Sequence, residues 1–323
     1  MKKHWLKKHA VLLSVCIVVL LVAVGSVAMW MYRSSQAIYK RIEISAPTAA
    51  GEPTELEKTI GRGTDTELKV EDTFMKTMPV YEISPRRITQ EEFEQIAACL
   101  DMEGRPERLK NSWHWKHQEY NLWWKENEIS YSWYGNIEKP ISKSDEELIE
   151  QAKSMFEILS TLPLFEGEYE CLGIGSTQTV HFKEGSRAVK KRICFRRLID
   201  GIRVIGGDLV DIYMCEDGVA DIYMYFYDYT KTGELPMLSL EDAFDRVKDP
   251  DAFSLESEGT TFSGEADLLT VERVKLLFVN QYSDGCTILQ PVFNLMGTAE
   301  NETGKAEFSS KVIAIPDLYT YTE

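Results

Sequence analysis

The residues best suited to chemistry in this sequence begin with a pair of histidines. His114 and His117 lie three positions apart in the stretch SWHWKH. In a helix this spacing places two metal ligands on one face, whereas in a strand it points the two rings to opposite faces. The tryptophans that alternate with these positions favour a strand, and the sequence offers no third ligand nearby. We therefore expect ordinary sheet residues here, with neither a metal nor a cofactor.

Aspartates near the middle of the chain are the next candidates, because paired carboxylates can act as general acid and base. They are Asp200, Asp208, Asp211, Asp217 and Asp221. Asp200 and Asp217 each precede a glycine, which is typical of turns. The other three lie in strand-like sequence of unknown facing. The sequence has no nucleophile elbow, zinc-protease motif or glycine-rich nucleotide motif. These observations predict a protein that is not an enzyme.

Aromatic residues form the densest cluster of potential binding groups. Five tryptophans fall close together: Trp113, Trp115, Trp123, Trp124 and Trp133. Such a cluster can stack against sugars or peptides, and it can equally fill the core of a sheet, because tryptophan favours strands and buries a large area. The core interpretation is favoured, and Trp113 and Trp115 are kept as candidate interaction residues.

Charge is distributed unevenly along the chain. The formal net charge is -16, yet the first nine residues contain four lysines and leave about -20 for the remainder. An acidic body is repelled by phosphate backbones, so the composition argues against a nucleic-acid partner. Cysteines beyond the first fifty residues are odd in number and have apolar neighbours, which predicts small buried side chains and no disulfide framework.

The N-terminal region contains a candidate membrane span. Residues 10–32 include no charge and are long enough to cross a bilayer core of about 30 Å. The basic residues before this stretch predict a cytoplasmic N-terminus (residues 1–9) and an extracytoplasmic body. A cleavable signal peptide, with Ser26 and Ala28 at the cleavage site, is the alternative. If the span is retained, Ala23, Gly25 and Ser26 form a face of small residues suited to contact with another membrane helix.

The remaining sequence predicts a linker and an α+β fold. Residues 33–73 are expected to form a stalk and flexible linker, since much of this stretch is rich in proline, glycine, threonine and charge. Helices are predicted over 88–100, 144–159 and 239–247, each with a Ser or Thr cap and an apolar stripe. Because strand-like sequence follows each helix, we expect three modules of helix plus antiparallel sheet, at 74–142, 143–236 and 237–323. The absence of alternating βαβ units disfavours a parallel nucleotide-binding sheet.

Turn chemistry in the central module predicts two hairpins. Asp200-Gly201 and Asp217-Gly218 stand between runs of alternating apolar residues. We expect positive φ at both glycines, and core-facing residues among Val204, Leu209 and Ile212.

The same segment also resembles a known module. IDGIRVIGGDLVDIYMCEDGVADIYM resembles the core hairpin of PepSY-like modules, SLEDAF resembles the opening helix of such a module, and LQPVFNLMG with KVIAIPD resembles its closing strands. With one N-terminal span and an extracytoplasmic body, the layout is similar to that of the YycH/YycI-like two-component-system regulatory proteins of Gram-positive bacteria. The resemblance implies regulation of a membrane sensor histidine kinase through contacts of the span and the body.

The functional expectation is therefore association with another protein. The sequence leaves two alternatives open. One is a PepSY-type extracytoplasmic protease inhibitor or chaperone. The other is a cell-wall carbohydrate-binding protein that uses the tryptophan cluster, which would require several exposed and coplanar rings.

Overall fold

The computed structural model describes residues 65–316, with gaps at 117–118, 136–138, 184, 247–252, 257–265, 284–285 and 303. For 253–256, 281–283 and 286 only the backbone is described. The predicted tail, the span with Ala23, Gly25 and Ser26, and the linker up to residue 64 lie outside the described residues. Within the described residues, no helix is long and apolar enough to cross a bilayer.

The three predicted helices are confirmed. They are α1 (Gln90–Cys99), α2 (Asp145–Leu159) and α3 (Leu240–Asp245). Thr89 caps α1, and Glu92 completes a capping box by accepting from the Thr89 backbone N–H. Ser144 and Glu147 do the same at the start of α2. The hydroxyl oxygen of Ser239 caps α3. In each case the side chain satisfies backbone donors that have no partner inside the helix.

All remaining regular structure among the described residues, apart from a short 3-10 turn, is strand. The strands are β1 (Asp65–Leu68), β2 (Thr77–Pro85), β3 (Glu107–Leu109), β4 (Ser112–Lys116), β5 (Tyr120–Lys125), β6 (Glu128–Trp133), β7 (Glu168–Phe182), β8 (Gly185–Ile199), β9 (Ile202–Ile205), β10 (Leu209–Cys215), β11 (Gly218–Tyr225), β12 (Tyr227–Pro236), β13 (Phe253–Glu256), β14 (Leu268–Ser283), β15 (Cys286–Asn301) and β16 (Gly304–Ile313). The described chain is thus mainly β with a few helices, which confirms the helix-plus-sheet prediction at that level.

The strands join in one mixed sheet with the order β12-β2-β15-β14-β9-β8-β10-β11-β6-β5-β4-β3 along its main path. The prediction of purely antiparallel pairing is wrong at two places, because β1 and β9 each run parallel to β14. The short strand β9 accounts for one of these two parallel pairings. It pairs antiparallel with β8 on one side and parallel with β14 on the other, so it joins two halves that the sequence presents as separate modules. The module boundaries themselves stay a prediction.

Each half of the sheet has its own core. In the half that contains β4 to β6, β8, β10 and β11, Phe93 of α1 and Leu148 of α2 pack with Ile212 and Ile222. In the other half, Phe244 of α3 belongs to a core with strands β14 to β16. A third apolar group, which includes Val204 and Phe278, lies where β9 meets β14.

The predicted hairpin turns are confirmed. Asp200 and Gly201 have φ of 52° and 76° between β8 and β9, and Gly218 has φ of 132° at the start of β11. Of the proposed core positions, Val204 and Ile212 are fully buried and Leu209 is half-buried. The turn residues therefore determine the register of the strands that carry the site described next.

Candidate interaction surface

A sheet segment of six neighbouring strands, in the order β8-β10-β11-β6-β5-β4, has two faces of different character. In antiparallel pairs, directly opposite residues project to the same face. Opposite residues across the six strands therefore form rows, and each row lies on one face. Two of these rows point towards α1 and α2 and are mainly apolar. They consist of Trp115, Leu122, Tyr131, Ile222, Ile212 and Ile193, and of Trp113, Trp124, Ile129, Met224, Val210 and Phe195. We call this the helix-covered face.

The alternate residues of the same strands form the second face, which we call the open face. Its rows consist of His114, Trp123, Ser130, Tyr223, Asp211 and Cys194; of Lys116, Asn121, Ser132, Asp221, Tyr213 and Arg192; and of Lys125, Glu128, Tyr225, Leu209 and Arg196. Lys190 and Gln178, paired across β7 and β8, extend it. None of its aromatic side chains belongs to the core formed with α1 and α2.

Four large aromatic side chains of the open face are half-buried. Tyr213 and Tyr223 meet edge to face, with ring centroids 5.6 Å apart, and Trp123 lies against the ring of His114 at 5.0 Å. Burial, and secondarily the Glu128 carboxylate, raises the pKa of Tyr225 to about 12. The pKa of Tyr223 is raised as well, first by burial. The phenols therefore remain neutral and offer apolar rings together with hydrogen-bonding hydroxyls.

Charged residues of both signs occupy the centre of the open face. The carboxylate of Asp211 receives a hydrogen bond from Arg196 Nη1 at 2.7 Å, and Arg192 Nη1 lies 3.6 Å away. Lys190 donates to Asp221 at 2.5 Å, and both side chains are nearly buried. These carboxylates are paired with cations and not with each other, so the arrangement does not supply an acid and base pair.

A shallow depression of about 380 Å³ lies over β10 and β11. Its walls combine the tyrosine rings with the ion pairs. They are formed by Gln178, Lys190, Leu209, Asp211, Tyr213, Asp221, Tyr223 and Tyr225. Cys194 lies beside it but is buried, and burial followed by the neighbouring Asp211 raises the pKa of its thiol. A protonated, buried thiol is a poor nucleophile, so this surface is better suited to binding than to covalent chemistry.

The structure places Trp113 and Trp115, the candidate interaction residues from the sequence, on the helix-covered face. Trp115 is buried, and its Nε1 donates to the carbonyl oxygen of Glu103 at 2.9 Å. Trp113 stacks on Trp124 at 6.1 Å, with Arg108 above its ring at 5.8 Å. An interaction role for Trp113 and Trp115 stays a prediction. Trp115 is buried in the core, whereas Trp113 and Trp124 are half-buried and their rings lie within 5° of parallel.

The candidate histidine and the turn aspartates have ordinary structural partners. His114 hydrogen-bonds to Asn121 on the neighbouring strand. Asp200 accepts from the hydroxyl of Tyr81 at 3.4 Å, and Asp217 from Lys139 at 2.7 Å. His117 lies outside the described residues. Among the residues that the structure describes, no group of three potential metal ligands is found.

Sequence reasoning missed Tyr213, Tyr223 and Arg192. A signal was present in DIYMC and DIYMY, where isoleucine and methionine alternate with aspartate, tyrosine and cysteine. If the isoleucines face the core, the tyrosines must face the opposite side. The alternation does not show which other strands contribute to that side.

Comparisons with known proteins show a similarity of structure. No protein-family model matches the chain, and no curated protein matches it. Among solved structures, the fold is similar to the crystal structure of YycH from Bacillus subtilis, with 11% sequence identity and a TM-score of 0.41. The alignment covers 68% of this chain and 49% of that chain, so this chain matches about half the length of the YycH structure. The name of this solved structure, YycH, also occurs in the name of the family that the sequence resembles.

Proposed function

We propose that this chain is a membrane-anchored extracytoplasmic regulatory protein that acts by association with a sensor histidine kinase of a two-component system. Residues 10–32 are its anchor, and the open face is its contact surface. The resemblance of residues 144–317 to PepSY-like modules of two-component regulators supports a kinase as the partner. The acidic composition of the body supports a protein partner over nucleic acid.

The open face is the observation that carries this proposal. Interfaces between proteins are enriched in tyrosine, tryptophan and arginine, and their centres are partly desolvated. The open face combines Tyr213, Tyr223 and Trp123 with Arg192 and Arg196 on adjacent strands. Because these side chains are mounted on a hydrogen-bonded sheet, little conformational entropy is lost when a partner contacts them.

Site-specific photo-crosslinking tests the proposal. A photoreactive amino acid replaces Tyr223 in the full-length chain in its native membrane, and crosslinked proteins are identified by mass spectrometry. We expect a sensor histidine kinase in the crosslinked product. We also expect Tyr223→Ala to change phosphorylation of the response regulator of that kinase, because truncation removes a large contact area.

The matched control places the same photoreactive group at Ile158, which is 48% exposed on α2 and lies on the helix side of the sheet. Crosslinking from Tyr223 and not from Ile158 supports the open face as the contact surface. A kinase captured equally from both positions, or from neither, contradicts the proposal.

A further inference from the structure

We propose that the open face binds an acidic segment of a partner protein and that Arg192 receives a carboxylate side chain of that segment. This inference rests on the proposed function, since it specifies the chemistry of the partner that the open face accepts. It follows from the charge balance at the centre of the face, from the way Arg192 is held, and from the contrast between this face and the whole chain.

The charges around Asp211 do not balance. Its single carboxylate faces two guanidinium groups, so one positive charge is left over. Arg196 makes the direct bond at 2.7 Å, the length of a charge-assisted hydrogen bond. Arg192 approaches only to 3.6 Å, which is too long for such a bond. Arg192 is also the more accessible of the two, with 32% of its side chain exposed against 19% for Arg196.

The side chain of Arg192 is held in place by its neighbours. Its guanidinium lies over the backbone of Gly175, because a Cβ built on that glycine would be 3.2 Å from Nη2 and 3.3 Å from Nε. Nε is buried and has no hydrogen-bond partner among the described residues. The group is therefore held by packing and by a hydrogen bond with Tyr213, while its exposed part still has donors to offer. A guanidinium fixed in this way is suited to bidentate recognition of a carboxylate.

Aromatic side chains surround the approach to Arg192. Its cross-strand neighbour Tyr213 lines the depression over β10 and β11, and Tyr223 packs against Tyr213. A partner side chain that reaches Arg192 therefore passes beside two aromatic rings. This combination suits a segment in which acidic residues alternate with aromatic or aliphatic ones, since both kinds of side chain find complementary groups.

The open face as a whole carries a small positive charge. On the six strands its cationic residues outnumber its acidic ones by two: Lys116, Lys125, Lys190, Arg192 and Arg196 stand against Glu128, Asp211 and Asp221. The whole chain has a net charge of -16. A bilayer or an anionic polymer prefers a uniformly basic surface and is repelled by an acidic body. A mixed face with a small positive excess favours a protein segment with a few well-placed carboxylates.

The test uses the full-length protein in nanodiscs and a fluorescent peptide that alternates glutamate with tyrosine. We expect this peptide to bind more tightly than a matched peptide with glutamine in place of glutamate. Arg192→Gln should weaken binding roughly tenfold, because a charge-assisted hydrogen bond is lost. Arg105→Gln is the matched control, since Arg105 is exposed and adjoins Gly104 near the indole of Trp115 on the helix-covered side. It should leave binding unchanged.

Several results would overturn the inference. The first is that the glutamate and glutamine peptides bind equally well. The second is that the Arg192→Gln variant, with an unchanged melting temperature, binds the glutamate peptide as tightly as the parent protein does. The third is that phosphatidylglycerol vesicles, and not the peptide, bind in a way that depends on Arg192. Kinase crosslinking from position 223 that is unaffected by Arg192→Gln would overturn this inference and leave the proposed function standing. Arg192-dependent peptide binding without kinase crosslinking would support the acidic-segment site and reject the kinase as the partner.

Discussion

At the scale of single residues, Asp208 shows how one buried carboxylate connects several strands. Its Oδ1 accepts from the backbone N–H of Tyr227 at 2.6 Å and from the hydroxyl of Tyr229 at 3.0 Å. The hydroxyl of Tyr169 donates to Oδ2 at 3.2 Å. The guanidinium of Arg197 lies within 6 Å of the rings of Tyr169 and Tyr229. Strands β7, β8 and β12 are thus joined at the loop between β9 and β10.

Burial of Asp208 predicts a specific dependence of stability on pH. Burial raises its pKa from 3.8 to about 6, although the Tyr227 N–H bond and the Arg197 charge act in the opposite direction. The folded state therefore binds this proton more tightly than the unfolded state. The resulting stabilisation is complete below pH 3.8 and is lost as the pH rises through about 6.

The variant Asp208→Asn isolates this effect, because an amide can accept from Tyr227 but does not titrate. Lowering the pH from about 7 to about 5 should raise the free energy of unfolding of the parent protein by about 1 kcal/mol more than that of the variant. Urea denaturation at the two pH values measures the difference. An identical pH dependence in the two proteins would show that Asp208 does not titrate in this range.

At the scale of elements, the turn between β8 and β9 sets the register that joins the two halves of the sheet. Asp200 and Gly201 both have positive φ, as a two-residue type I′ turn requires. The four-residue strand that follows then pairs with β8 through Leu198 and Arg203, and with β14 through Val204 and Phe278. A change in this turn therefore affects both pairings.

Gly201 gives a clean test of the turn. A Cβ at this position meets no atom within 4 Å, so the cost of a substitution comes from the backbone conformation and not from a clash. Gly201→Val should lower the free energy of unfolding by about 1 to 2 kcal/mol. Gly201→Asn should cost distinctly less, because asparagine tolerates left-handed φ. Denaturation midpoints measure both variants, and equal costs for valine and asparagine would contradict the assigned turn.

At the scale of the whole molecule, the proposed arrangement separates an anchor from a contact surface. The N-terminal lysines and the apolar run of 10–32 are expected to hold the chain in the membrane, and the acidic body is expected to lie outside. The open face can then meet a partner held in the same membrane. Shared anchoring raises the effective concentration of the two proteins, so a modest contact area is sufficient for regulation.

Protease treatment of intact cells tests this topology. We expect added protease to digest the body while the span stays with the membrane fraction, because the proposed topology exports the body and retains the anchor. A cytoplasmic protein that remains intact in the same cells is the control for lysis. A body protected from protease, or one found soluble outside the cells without the span, would reject the anchored topology.

The sequence alone determined the local features of this protein. Thr89 with Glu92 and Ser144 with Glu147 predicted two helix starts, because caps act within one turn. The glycine of the Asp200-Gly201 turn predicted a hairpin, because few other residues tolerate its φ.

Only the tertiary structure decided which strands became neighbours. The pairing of β11 with β6 and of β9 with β14 brings together segments far apart in the chain, and no local period encodes such partners. Because successive residues of a strand alternate between faces, that choice of partner and register placed Trp123 and Tyr223 on the open face with Arg192. The same pairing placed Trp113 and Trp115 beneath the helices.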